Sequence, residues 1–187
     1  MSTPSELAAA IQAATETVRA VSEDPSDQIQ MLVALARGEA PVAAGGDVVG
    51  AAVTAMHAAT VALYRRAALS SLARAAASAQ PRSYDEAVAL RDLVCGLLDD
   101  GITEAGDMGD DAATQALRAL KSAVADGLTR LAGNLTRLQM VQVQAPLPAL
   151  VHAYRLYEDM ARSDEVAAYA DASDPNALPT QFRALGV

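Results

Sequence analysis

The feature that most constrains the fold is a long internal stretch with almost no helix breaker. From Asp47 to Gln80 there is no proline and a single glycine, Gly50. Asp47 is of a residue type that favours the N-cap of a helix, and Pro81 disfavours the α conformation in the residue before it. We therefore expect one long helix over residues 47–80, at the centre of the fold.

The apolar content also favours helices over strands. Hydrophobic residues make up 52% of the 187 residues, aromatic residues only 3%, and there is no tryptophan. Alanine and leucine are the strongest helix formers, whereas strands favour β-branched and aromatic side chains. Alanine-rich helices build thin cores, which often gain stability from neighbouring subunits. The composition predicts an all-α helical bundle that forms a homo- or hetero-oligomer.

Within the long helix, the stretch from Val48 to Tyr64 carries no Asp, Glu, Lys or Arg. It is short for a membrane span and is diluted by Gly50, Thr54 and His57. A buried central helix fits this stretch better. The first residues, MSTPSELAAAIQ, lack the basic region of a signal peptide. We expect a chain that is made in the cytoplasm and has no membrane partner.

Caps and breakers divide the rest of the chain into shorter helices. Residues 39–46 (EAPVAAGG) have the composition of a loop. Ser83 and Glu86 have the spacing of a capping box, which predicts the start of a helix. Asp110 or Asp111 is placed to cap the helix that follows.

One segment, LQMVQVQA at residues 138–145, alternates apolar and polar residues as a strand does. No second strand is evident, so we expect this segment to stay extended or to pair with another molecule. The tail from Asp171 contains two prolines and is predicted to be irregular. The sequence suggests a division into a helical bundle with a terminal extended segment (1–145) and a C-terminal helix with its tail (146–187), together forming one domain.

The charge argues against nucleic acid as a partner. The net charge is −9 and the sequence pI is about 4.6, so phosphate backbones and anionic lipid surfaces repel the chain. Arg65, Arg66 and Arg74 form the best candidate for a basic patch, on nearby turns of the long helix. We expect a solvated or partner-facing helix surface there.

Residues with catalytic or metal-binding chemistry are few and scattered. The only histidines, His57 and His152, lie on separate predicted helices, and Cys95 is the only cysteine. The acidic run at residues 99–111 does not have the order of a calcium loop, and no zinc ligand set is present. The sequence therefore predicts no catalytic, cofactor-binding or metal-binding residues, and a protein that is not an enzyme.

Two groups of residues are candidates for an interface with a partner. The first comprises the apolar residues of the alternating segment. The second combines amphipathic rings with arginine donors, which are typical of interface anchors and equally of helix–helix packing. The candidate residues are Leu138, Met140, Val141, Val143, Tyr154, Arg155, Tyr157 and Arg162.

The second half of the sequence resembles a known family. LPALVHAYRLYEDMARSDEVAAYADASDPNALP, at residues 147–179, is similar to the C-terminal signature of the phage DNA circularisation proteins. In that family an LPALV-AYRLY helix precedes an R-DE turn and an HP-F-P tail. LRALKSAVADGLTRLAGNLTRLQMVQVQAPLP (117–148) and SEDPSDQIQMLVALA (22–36) also follow the family pattern, so the resemblance covers roughly residues 20–187.

The resemblance implies a structural protein of a contractile phage tail of the Mu type, near the tail tip. It implies contacts with other tail or baseplate proteins, such as the hub, tube or tape measure. The chain would be assembled in the host cytoplasm and located in the virion. Asp174-Pro175 stands where the family has His-Pro, and the family's β-rich N-terminal domain has no counterpart here. A tail assembly chaperone and, from the family name, a DNA-end-binding protein remain alternatives.

Overall fold

The computed structural model describes residues 3–38 and 48–186, which form seven α-helices and one small antiparallel sheet. The loop predicted at residues 39–46 and the cap predicted at Asp47 lie outside the described residues. The prediction of a mostly helical fold with one long helix and a short β segment is confirmed. The elements are α1 (Pro4–Ala20), α2 (Pro25–Arg37), α3 (Val48–Ser78), α4 (Tyr84–Asp107), α5 (Asp111–Ala132), β1 (Leu138–Gln142), α6 (Ala149–Tyr157), a 3-10 turn (Met160–Arg162), α7 (Ser163–Tyr169) and β2 (Gln181–Leu185).

Polar side chains cap several of these helices at their N-termini. The Thr3 hydroxyl accepts a hydrogen bond from the Glu6 amide, and the Glu6 carboxylate accepts one from the Thr3 amide. The predicted cap of α4 is confirmed, because Ser83 accepts from the amide of Glu86 at 3.1 Å. Asp110 caps α5 by accepting from the Ala113 amide at 3.0 Å. Each cap satisfies an amide that has no partner within its own helix.

A first compact unit comprises Met1–Gln80 and Val88–Arg130. Within it, α1 and α2 pack against α3. Leu32, Leu72 and Leu98 are fully buried in its core. Alanines of α3 are buried beside them, and small side chains allow neighbouring helices to approach closely. A Cβ atom added at Gly101 on α4 would lie 2.6 Å from Leu69 Cδ1 on α3, so the Leu69 side chain would have to shift.

A hydrogen-bond network joins α1 to α3 inside this unit. The buried hydroxyls of Thr15 and Ser71 lie 3.1 Å apart, and Ser71 donates to the Glu16 carboxylate at 2.6 Å. Arg74 and Arg19 donate to the same carboxylate at 2.7 and 2.8 Å. The Ser71 hydrogen bond lowers the pKa of Glu16, and the two guanidinium groups lower it further. The network fixes one alignment of α1 along α3 because its donors and acceptors meet only there.

Burial along α3 is uneven. Its C-terminal half lies in the core of the first unit, where Ala68, Leu72 and Ala75 are fully buried. No residue from Val49 to Ala59 is buried, and most of them are exposed. The prediction of a buried helix over Val48 to Tyr64 is therefore wrong for residues 49–59, because no described segment of the chain covers this part of α3.

A second compact unit comprises Pro81–Ala87 and Leu131–Val187. Its core contains six buried apolar residues, together with the partly buried Val141 of β1 and Val143 just after that strand. β1 and β2 pair antiparallel, with Leu138 opposite Leu185 and Gln142 opposite Gln181. The buried residues of this core are Ala149, Ala153, Val166, Leu178, Phe182 and Ala184.

The pairing of β1 corrects two predictions. The segment at 138–145 was expected to find no partner strand within the chain, and the tail from Asp171 was expected to be irregular. Instead, Gln181–Leu185 of the tail forms β2, with Phe182 and Ala184 buried and Arg183 exposed. Burial of Phe182 against the core holds the end of the chain in place. The suggested division of the chain at residue 145 stays a prediction.

Candidate functional site

The outer edge of β1 is the first candidate for a contact with a partner. The amide of Gly186 donates to the Arg137 carbonyl, and the amide of Val143 donates to the Thr180 carbonyl, each at 2.9 Å. In an antiparallel pair the backbone groups of alternate residues point to the same side. Those of residues 137, 139, 141 and 143 thus point to β2, and those of Leu138, Met140 and Gln142 point away from it.

At this outer edge, one backbone amide has a hydrogen-bond partner among the described residues and the next two do not. The amide of Leu138 donates to the Asp85 carboxylate at 2.8 Å. Within the described part of the chain, no hydrogen-bond partner meets the amides of Met140 and Gln142. The Met140 side chain is 59% exposed, and Gln142 is exposed beside it. Unpaired backbone groups at a sheet edge are a template for pairing with another strand.

The side chains of β1 divide between the core and the solvent. Val141 and Val143 pack against the core that contains Phe182, and Leu138 is partly buried. Among the four interface candidates on this segment, Met140 alone is exposed. The valines therefore contribute packing within the unit, and Met140 is the side chain that a partner strand would contact.

Two contacts hold β1 to the start of α4. The amide of Tyr84 donates to the Thr136 carbonyl at 2.9 Å, just before the strand. The guanidinium carbon of Arg137 lies 4.1 Å from the centre of the Tyr84 ring, a cation–π contact. Together with the Asp85 hydrogen bond, these contacts fix the position of the strand whose outer edge is open.

Helix α6 offers a second exposed surface. Its inner face buries Ala149, His152 and Ala153, while Leu150 and Tyr154 lie one turn apart on the outside. Tyr154 is 59% exposed, and Arg155 next to it is also exposed. Tyrosine and arginine are among the residue types enriched at the energetic hot spots of protein interfaces.

Tyr157 and Arg162, the other two candidates, make contacts within the unit. The Tyr157 hydroxyl donates to the Leu185 carbonyl at 2.9 Å. The Arg162 guanidinium lies 3.7 Å from the centre of the Tyr157 ring and donates to both carboxylate oxygens of Glu165, at 2.8 and 2.9 Å. Burial raises the pKa of Tyr157, and the Arg162 hydrogen bond lowers the pKa of Glu165. Sequence alone could not decide between packing and partner contact for these residues.

His152 lies in the core rather than in a cleft. It is 2% exposed, and its ring meets Phe182 edge-on, with 4.8 Å between the ring centres. Its Nε2 atom has no hydrogen-bond partner among the described residues. Burial lowers the pKa of His152, and the nearby Arg155 lowers it further. The environment favours a neutral imidazole that packs as an apolar ring.

The first unit contains an open pocket of about 620 Å³ at α2, α3 and α4. Arg65 lines this pocket and donates to Glu104 at 3.3 Å and to the Gly38 carbonyl at 3.2 Å. Among the described residues, no group of three or more His, Cys, Asp or Glu side chains could hold a metal ion. The pocket is lined by Ala36, Arg37, Arg65, Leu69, Leu97, Asp100, Gly101, Thr103, Glu104, Asp107 and Met108.

The three arginines of the possible basic patch are paired with carboxylates. Arg65 pairs with Glu104, Arg66 with Asp110 at 2.6 Å, and Arg74 with Glu16. The hydrogen bond from the Ala113 amide lowers the pKa of Asp110, and the hydrogen bond from Arg66 lowers it further. These pairs neutralise the positive charge that phosphate groups would require.

None of the described helices is long and apolar enough to cross a membrane. No protein-family model matches this sequence. A comparison with curated proteins also finds no significant match.

Proposed function

We propose that this chain is a structural component of a phage-type contractile tail or baseplate, and that it acts through protein–protein contacts near the tail tip or hub. The resemblance of residues 147–179 to the phage DNA circularisation proteins supports this role. The structural observation that carries the proposal is the open outer edge of β1. The protein needs no catalytic group for such a role.

The contact would form by addition of a strand to the sheet. An extended segment of the partner would lie along β1 and hydrogen-bond to the amides of Met140 and Gln142. The Leu138 amide already donates to the Asp85 carboxylate, so the added strand would pair from Met140 onward. The exposed Met140 side chain would contact the partner and contribute to specificity, because methionine adapts to irregular surfaces.

Leu150 and Tyr154 on α6 would form a second contact with the same or another tail protein. Both are exposed, and their one-turn spacing presents them together. In this proposal the partners are the hub, tube or tape measure, and the chain remains in the virion after assembly in the host cytoplasm.

Mass spectrometry of gradient-banded particles from the source tests this function. We expect the chain in the particles at a fixed ratio to the tube protein. If the chain is abundant in the lysate but missing from the particles, the structural role is wrong and a departing assembly chaperone takes its place. If it is bound to duplex DNA at physiological salt in a gel-shift assay, the DNA-end-binding alternative replaces the proposal instead.

A further inference from the structure

The start of α4 covers one end of the outer edge of β1. The amide of Tyr84 donates to the Thr136 carbonyl at 2.9 Å, and the Asp85 carboxylate accepts from the Leu138 amide at 2.8 Å. Thr136 and Leu138 lie two residues apart where the strand begins, so their backbone groups point to the same side. Tyr84 and Asp85 therefore occupy, at this end, the place that a neighbouring strand would take.

The group that holds the Leu138 amide is a charged side chain. Asp85 lies in the first turn of α4 and is exposed to solvent. A strand that paired fully with β1 would bring a carbonyl oxygen to the Leu138 amide, and the carboxylate both occupies that position and repels the oxygen. Charged side chains at a sheet edge are one of the means by which proteins prevent unwanted strand pairing.

Every molecule in solution carries the same edge, so a second copy of the chain is a strand that this edge constantly meets. The fullest antiparallel pairing of two copies would place Met140 opposite Met140, and Leu138 opposite Gln142 of the other copy. Each of these pairs would form two hydrogen bonds, which gives six in total. Two of the six require the Leu138 amide to donate to the Gln142 carbonyl of the other copy.

Asp85 removes these two hydrogen bonds. Its carboxylate already accepts from the Leu138 amide and lies where the Gln142 carbonyl of the other copy would have to lie. Two copies could then pair only with Met140 opposite Gln142, an arrangement of four hydrogen bonds. The net charge of −9 on each copy opposes even this weaker pairing.

We propose that Asp85 determines which strands pair with the outer edge of β1. It prevents the edge from pairing with a second copy, and it admits a partner strand that ends opposite Met140. Such a strand loses nothing to Asp85, because it brings no carbonyl to Leu138. This inference rests on the proposed function, in which the edge binds a tail protein, and it explains how the edge stays available until that protein binds.

Sedimentation equilibrium of the isolated full chain, at concentrations up to about 1 mM, tests the role of Asp85. The Asp85→Ala variant should self-associate on the order of 30-fold more tightly than the wild-type chain, the gain expected from two further hydrogen bonds. The Asp85→Asn variant should associate as weakly as the wild-type chain, since its side-chain oxygen still accepts from the Leu138 amide. Circular dichroism should show the same helix content in all three proteins.

The Asp92→Ala variant is the matched control, because Asp92 is another exposed acidic residue of α4 and its loss changes the net charge equally. It should associate as the wild-type chain does. Adding the Gln142→Pro change to the Asp85→Ala chain removes an amide of the outer edge and should return the association to the wild-type value.

An Asp85→Ala chain that associates no more tightly than the wild-type chain would overturn the inference. Equal association of the Asp85→Asn and Asp85→Ala variants would do the same, and so would association that survives the Gln142→Pro change. The isolated chain tests the role of Asp85, whereas the composition of the particles tests the proposed function, so failure of one is measured separately from failure of the other.

Discussion

The Tyr157 hydroxyl, at the end of α6, donates a hydrogen bond to the backbone carbonyl of Leu185, the last residue of β2. The Arg162 guanidinium covers the same ring from the other side of the turn that follows α6. Glu158, the residue directly after α6, has a φ of 56°, a left-handed conformation that is typical of a helix end. The C-terminal strand is thus attached to a helix and to β1, rather than to β1 alone.

Loss of this hydroxyl should lower the stability of the second unit. We expect the Tyr157→Phe variant to lose about 1 kcal/mol of unfolding free energy, because the Leu185 carbonyl is left without its donor. Urea denaturation followed by circular dichroism measures the change. The same substitution at the exposed Tyr154 is the control and should change stability by less than about 0.5 kcal/mol.

Proline substitutions should distinguish the two edges of β1. The amide of Gln142 points away from β2, so the Gln142→Pro variant loses no hydrogen bond of the internal ladder and should fold. The amide of Val141 points to β2, so the Val141→Pro variant should lose the second unit's packing. Thermal unfolding of both variants measures this difference. Particles made with the Gln142→Pro chain should contain less of it if a partner strand pairs at this edge.

Normal incorporation of the Gln142→Pro chain into particles would show that the outer edge of β1 makes no partner contact. If the Gln142→Pro variant lost as much thermal stability as the Val141→Pro variant, the register assigned to β1 would be wrong. The Gln142→Ser variant is the control, because it keeps the amide and changes the same exposed side chain.

Local signals in the sequence predicted the helix boundaries well. The caps at Ser83 and Asp110 follow from residues within one turn of the helix start, so no distant contact is needed to find them. The strand at β1 also has a local signal, its alternating pattern. β2 has only five residues and a single aromatic one, Phe182, so its structure depends on pairing with a distant segment.

The candidate site was harder to predict because the same residue types serve packing and binding. Tyr157 and Arg162 contact each other and their own unit, while Tyr154 remains exposed. Only the position of each side chain, on α6 or in the 3-10 turn after it, decides between packing and exposure. Along α3, apolar residues occur on all sides, so no periodicity marks the point near Ala62 where burial begins.

The stability of the second unit should depend on pH through His152. Its folded-state pKa lies below the ordinary histidine value of about 6.5, so the unfolded state binds the proton more readily. The stability that the neutral His152 contributes to the fold is fully present above pH 6.5. It is lost as the pH falls through the folded-state pKa of His152. Urea denaturation at several pH values below 7 measures the loss, and the His152→Leu variant should show a smaller loss over that range. Equal losses in both proteins would assign the pH dependence to other groups.

The network between α1 and α3 should be sensitive to the loss of one hydroxyl. We expect the Ser71→Ala variant to lose about 1–3 kcal/mol of unfolding free energy, because Thr15 and the Glu16 carboxylate lose a buried partner. The Ser78→Ala variant is the control, since Ser78 is exposed and donates only to Ala75 of its own helix. The loss of the Ser71 donor should also raise the pKa of Glu16 towards its ordinary value, which NMR titration of the carboxyl carbon measures. An unchanged pKa with reduced stability would mean that Ser71 contributes by packing rather than by its hydrogen bond to Glu16.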